Sequence, residues 1–143
     1  MEIREGTLAE ALDVLVKIDE FEQGETLASM TRRIGDKPSL VLVADDGNEL
    51  VGVNIGYQLD DDCFYSWLGG VTAKSRRKGI AKALMNAQED WVKIRGYQTI
   101  RVKSRNCFPE TVSLLLTRKY QVEHLEKQGS LDQYRLHFVK LIT

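Results

Sequence analysis

The sequence predicts a single α/β domain over residues 1–143, a mixed and mostly antiparallel sheet flanked by helices. Three observations carry this expectation. Short apolar runs joined by tight turns fill residues 39–71. The apolar spacing then changes, with Ile80, Leu84, Ala87, Trp91 and Ile94 recurring at four, three, four and three residues. A further strand-like run begins at Thr99, so strand, helix and strand follow one another as a crossover that makes the two strands parallel.

In chain order, Glu2 to Arg4 suits a short strand. Thr7 and Glu10 have capping-box spacing ahead of Leu8, Leu12, Leu15 and Ile18 on one helical face. A second helix is expected over Glu25 to Ile34, stopped by Gly35 and the Lys37-Pro38 step. Ser39 to Ala44 reads as a buried strand, and Asp46-Gly47-Asn48 turns the chain into Glu49 to Gln58. Asp60 to Asp62 forms the next turn and Cys63 to Val71 the next strand. The striped helix runs from Ile80 to Arg95, with Gly96 placed to cap it. Thr99 to Lys103 is a strand, and Pro109 opens a helix through Leu116. Tyr120 to Glu126 and Tyr134 to Ile142 close the chain as a hairpin around Gln128-Gly129-Ser130.

The balance of 43% hydrophobic and 29% charged residues is that of a globular chain. A formal charge of -1 excludes a global pull toward nucleic acid or anionic membrane, though not a local basic patch. No apolar run has the length of a membrane span, and no basic segment leads into an apolar one at the N-terminus. A soluble, cytoplasmic protein is therefore expected. Cys63 and Cys107 lack metal-ligand spacing and read as free thiols, too far apart along neighbouring strands to form a disulfide.

The richest segment runs from Gly69 to Lys82, where a strand passes into the N-terminus of the striped helix. The first turn of a helix leaves backbone N–H groups unpaired, and the macrodipole adds positive charge there. Gly79 and Ala81 are small enough for an anion to approach that backbone. Lys74, Arg76, Arg77, Lys78 and Lys82 crowd cations where the dipole disfavours them, a conflict that a bound anion removes. Taken alone, such a cluster is more often a solvated face. Neither the dinucleotide fingerprint nor the P-loop spacing is present.

Val71 followed by Arg76-Arg77-Lys78-Gly79-Ile80-Ala81 resembles motif A of the GNAT superfamily of N-acetyltransferases, [QR]-x-x-G-x-[GA], set in the matching order of elements. The resemblance implies a fold of order β-α-α-β-β-β-α-β-α-β-β with acetyl-CoA as acyl donor and no metal. It implies that backbone amides over Arg77, Lys78, Gly79, Ile80, Ala81 and Lys82 hold the pyrophosphate, with Arg76 opening the motif. Val71 would pair its main chain with the pantetheine arm. Gly69 would aim its amide at the thioester carbonyl. The Gly69-Gly70 pair suits a bulge or close ligand approach and suits a simple strand end as well. Asn106 occupies a place where similar sequences contact the pantetheine arm, and a plain turn residue fits there too.

The family's acid/base positions are altered. Tyr65 stands where many members carry a Glu, and Arg101 or Lys103 where others do. Leu115 replaces a frequent Tyr, and Lys119-Tyr120 replaces the usual Gly-Phe. Tyr65 is left to orient the amine, line its pocket or donate to sulfur, or else to serve as strand packing. Cys107 has no activating base near it in sequence. His124 and His137 fall on the closing hairpin, away from the junction, and read as structural. Asp19, Glu20, Glu22 and Glu25 suit attraction of a cationic amine and equally a solvated loop; Trp67 suits the core better than an acceptor pocket.

The expected activity is acetyl transfer from acetyl-CoA to a primary amine of a small molecule or peptide by direct attack. The alternatives are a non-catalytic acyl-CoA sensor and, disfavoured by the overall charge, nucleic-acid binding through the Lys74–Lys82 patch. Dimers are common among similar proteins, and the acceptor itself is not legible.

Overall fold

The computed structural model describes residues 1–18 and 24–142. Seven strands, β1 (Glu2–Glu5), β2 (Ser39–Asp45), β3 (Leu50–Asp60), β4 (Cys63–Val71), β5 (Thr99–Arg105), β6 (Gln121–Glu126) and β7 (Arg135–Leu141), form one sheet in the order β1-β2-β3-β4-β5-β7-β6. Every neighbouring pair is antiparallel except β4–β5. Helices α1 (Leu8–Leu15) and α2 (Leu27–Ile34) pack on one face with Val53, Ile55, Tyr57 and Tyr65. Helix α3 (Ile80–Ile94) and Leu115 of α4 (Pro109–Thr117) pack on the other with Phe64, Ile100 and Phe138. The expected fold class and element order are present.

Both early helices start on reciprocal caps. Thr7 Oγ1 accepts from the Glu10 amide at 3.1 Å while Glu10 Oε1 accepts from the Thr7 amide at 3.0 Å. Thr26 and Ser29 make the same exchange, which is why α2 begins at Leu27 rather than at Glu25. Glu25 then accepts a 2.8 Å bond from the Ser29 hydroxyl, whereas Asp19, Glu20 and Glu22 lie outside the described residues.

The buried stripe on α3 differs from the expected one after Leu84, where Ala87 and Trp91 are only partly buried. Ile80, Leu84, Gln88 and Val92 are the buried residues, whereas Ile94 is 83% exposed. Fourfold spacing follows the 3.6-residue turn closely enough to keep these side chains toward the sheet, and Ile94 has drifted off it. Gln88 is tolerated because Asn54 Oδ1 of β3 accepts from it at 3.2 Å and from the Ser66 hydroxyl at 3.3 Å. Farther along α3, Glu89 accepts bonds from Arg118, Tyr120 and Lys140, tying the helix to the end of α4 and to β7.

Candidate active site

Strand β4 pairs with β5 only from Cys63↔Thr99 to Ser66↔Val102, although β4 continues to Val71 and β5 to Arg105. Beyond Ser66 the two strands part, and β5 stays with β7 to its end. The β3–β4 register shifts between Ile55 and Gly56, leaving Trp67 as an extra residue on β4. The bulge thus lies two residues before the Gly69-Gly70 pair rather than at it.

The hydrogen-bond phase beyond the bulge is fixed. Thr72 donates to the Val51 carbonyl at 2.9 Å, so strict antiparallel alternation bonds Gly70 and Leu68 to β3. The N–H and C=O groups of Gly69 and Val71 are turned the other way, into the gap left by β5. The Val71 carbonyl accepts from Arg76 Nε at 3.0 Å, which agrees with that direction. Gly69 is exposed within its strand, and a Cβ there would meet Asn54 Oδ1 at 3.4 Å, an ordinary contact.

The gap leads to the start of α3. A short 3-10 turn (Ala73–Ser75) ends at Arg76, Arg77 takes a left-handed φ of 63°, and Gly79 caps the helix at φ 80°. Gly79 has no side chain to cap the first amides of α3, and among the described residues nothing lies within 4 Å of where a Gly79 Cβ would be. Arg76, Arg77, Lys78, Gly79 and Lys82 are exposed, with Ala81 half-buried and Ile80 buried in the core. The structure therefore puts bare backbone donors, cations and a glycine without a neighbour at one place, which fits a diphosphate. Arg77 also reaches Glu110 of α4 at 3.7 Å. Asn106 borders a groove along α4 with Pro109, Val112 and Ser113, and its Nδ2 donates to the Leu131 carbonyl at 2.9 Å.

On the α1–α2 face a cleft of about 180 Å³ is lined by Arg33, Tyr57, Tyr65, Arg101, Lys103, Glu123 and His137 among others. Tyr65 packs edge to face on Tyr57, ring centroids 5.5 Å apart, and among the described residues no group hydrogen-bonds its hydroxyl. Burial, reinforced by Tyr57, pushes the Tyr65 phenol above its ordinary pKa, so it is a neutral donor rather than a base. Arg101 is fixed by Glu123 at 2.8 Å and by the Cys63 sulfur at 3.1 Å. Trp67 packs against the α1–α2 core and carries the Arg33 guanidinium 4.9 Å from its ring centre.

His137, expected on the closing hairpin away from the junction, lies on β7 and lines the Tyr65 cleft. Pairing of Lys103 with His137 across β5 and β7 carries the imidazole into the Tyr65 cleft. Its Nε2 stands 2.6 Å from Glu126 Oε1, and the His124 ring meets it edge-on at 4.8 Å. That hydrogen bond, with Arg135 and Lys103 nearby, holds the Glu126 carboxyl below its usual range.

A sequence model of the acetyltransferase (GNAT) family matches residues 9–113. No curated protein matches by sequence. Among solved structures, an aminoglycoside 6'-acetyltransferase type Ii superposes with TM-score 0.83 at 20% identity, covering 100% of this chain and 98% of its own. The ribosomal-protein-S18-alanine N-acetyltransferase from Escherichia coli gives 0.83 at 15%, covering 99% and 94%. A GNAT family acetyltransferase from Elizabethkingia anophelis with acetyl-CoA bound gives 0.78 at 14%, covering 98% and 97%. The chain belongs to the acetyltransferase (GNAT) family and is an acyltransferase.

Proposed function

We propose that the domain acetylates a primary amine by direct attack on the thioester in a ternary complex. The observation that carries this reading is the unpaired stretch of β4, whose Gly69 and Val71 backbone groups face the gap left by β5. Val71 pairs with the pantetheine arm as an added strand would. The amides from Arg77 to Lys82 take the pyrophosphate, with Arg76 supporting the Val71 carbonyl and Asn106 bordering the groove beside α4.

With the donor so placed, the Gly69 N–H donates to the thioester oxygen as negative charge grows on it, a contribution of about 3–4 kcal/mol for one such donor. The amine lone pair forms the C–N bond, the C–S bond breaks, and the thiolate leaves with the electron pair. Tyr65, kept neutral by burial, is the donor to the departing sulfur. The ammonium proton must go elsewhere first. Glu123 is held by Arg101, whereas His137 has Nδ1 free of the Glu126 bond and lines the same cleft, so His137 receives that proton directly or through water.

Acceptors named for the similar structures are as unlike as an aminoglycoside and a ribosomal-protein alanine, so the choice rests with this chain's own cleft. Release of free thiol from acetyl-CoA across a panel of primary amines tests the reading. Stabilisation by acetyl-CoA with no turnover on any amine would sink it.

A further inference from the structure

We infer that the amine acceptor carries a carboxylate, which Arg33 and Lys103 recognise; this rests on the acetyl-transfer reading of the same cleft. Three cations, Arg33, Arg101 and Lys103, line the cleft against one carboxylate, Glu123. Arg101 and Glu123 cancel each other at 2.8 Å. Glu126, just beside them, is engaged by His137 at 2.6 Å and by Arg135 at 4.0 Å. Among the described residues neither Arg33 nor Lys103 has a carboxylate within ion-pair distance. Their contacts are aromatic, Arg33 over Trp67 and Lys103 over Tyr65 at 5.9 Å.

Arg33 is also positioned as a fork. Its Nε donates to the Tyr57 hydroxyl at 2.9 Å, and the Trp67 ring supports the guanidinium plane. The two terminal nitrogens remain for a planar, two-oxygen partner, the geometry that guanidinium matches best. Lys103 supplies a point charge on the other side of the Tyr57–Tyr65 pair. The same charges repel a polycation. They also disfavour the ammonium form of any amine bound beside them, easing the deprotonation that attack requires.

Matched amines test this: glycine against glycinamide, β-alanine against its amide, and the peptide Gly-Asp against Gly-Asn-amide, with spermidine and kanamycin as polycations. The acid of each pair should exceed its amide at least tenfold in kcat/KM. In Lys103→Gln, and in Arg33→Gln with Lys103→Gln, the ratio should fall to within threefold through a rise in KM for the acid. Amides equal to acids, or a polycation turned over best, would overturn the inference while leaving acetyl transfer standing. If no amine is turned over, the transfer reading fails, and the charge preference is read from binding alone. CoA-saturated protein should gain more in Tm from N-acetylglycine than from N-acetylglycinamide, and equal gains would overturn it.

Discussion

His137 of β7, held at 2.6 Å by Glu126 of β6, lines the cleft that Tyr65 enters from β4, two strands away. The bond occupies Nε2 and directs Nδ1 to accept, which is how a histidine is kept in a basic tautomer. His137→Asn should lower kcat/KM by about 10²-fold or more, and Glu126→Gln, a change at a positioning residue, should lower it less. Rates equal to the parent's in both variants would remove the pair from catalysis.

Gly79→Glu should abolish stabilisation by acetyl-CoA. The left-handed φ of 80° makes any side chain there cost about 1 kcal/mol, so the fold persists. The new carboxylate sits among the amides proposed to hold phosphate. Calorimetric titration with acetyl-CoA reads the outcome, and undiminished affinity would place the phosphates elsewhere.

Tyr65→Phe removes a hydroxyl that has no hydrogen-bond partner among the described residues, so Tm should move little. The rate should fall by about 10², with KM for acetyl-CoA unchanged. A variant as fast as the parent would leave Tyr65 with packing alone.

Acid should loosen the N-terminal corner first. The Arg4 side chain, helped by the Thr7 amide, holds the Glu10 carboxyl at about 2, below the ordinary 4.5. A lowered folded-state pKa gives stability that is present above the ordinary value and lost as pH falls through the folded one. The Tm difference between the parent and Glu10→Gln should therefore be full above about pH 5 and shrink as the pH approaches 2. A difference independent of pH would assign the effect to shape rather than charge.

The sequence carried the element order because turn residues, the Thr7 cap and the period change at Ile80 are local signals. The junction from Val71 to Ala81 was legible for the same reason, since chain neighbours build it. That His137 lines the Tyr65 cleft was not legible, because its place depends on β7 entering between β5 and β6, a pairing of residues 34 positions apart such as Lys103 and His137. No local pattern encodes it. The burial of Gln88 was not legible because its partner, Asn54, comes from β3, 34 positions away. The bulge at Trp67 was missed because glycine marked the wrong residue.

That supernumerary residue has a consequence for how one strand divides its labour. Tyr65 and Gly69 are four positions apart, and in an unbroken ladder both would look to the same side of the sheet. Trp67 resets the alternation, so Tyr65 joins α1 and α2 while the Cβ direction of Gly69 points at Asn54, which Gln88 of α3 holds from behind. A single skipped beat lets the strand show an aromatic to one compartment and bare backbone to the breach beside it. Excising Trp67 would leave Tyr65 and Gly69 three positions apart in a regular ladder, still facing opposite sides, whereas a regular ladder with Trp67 kept would turn both to the same side.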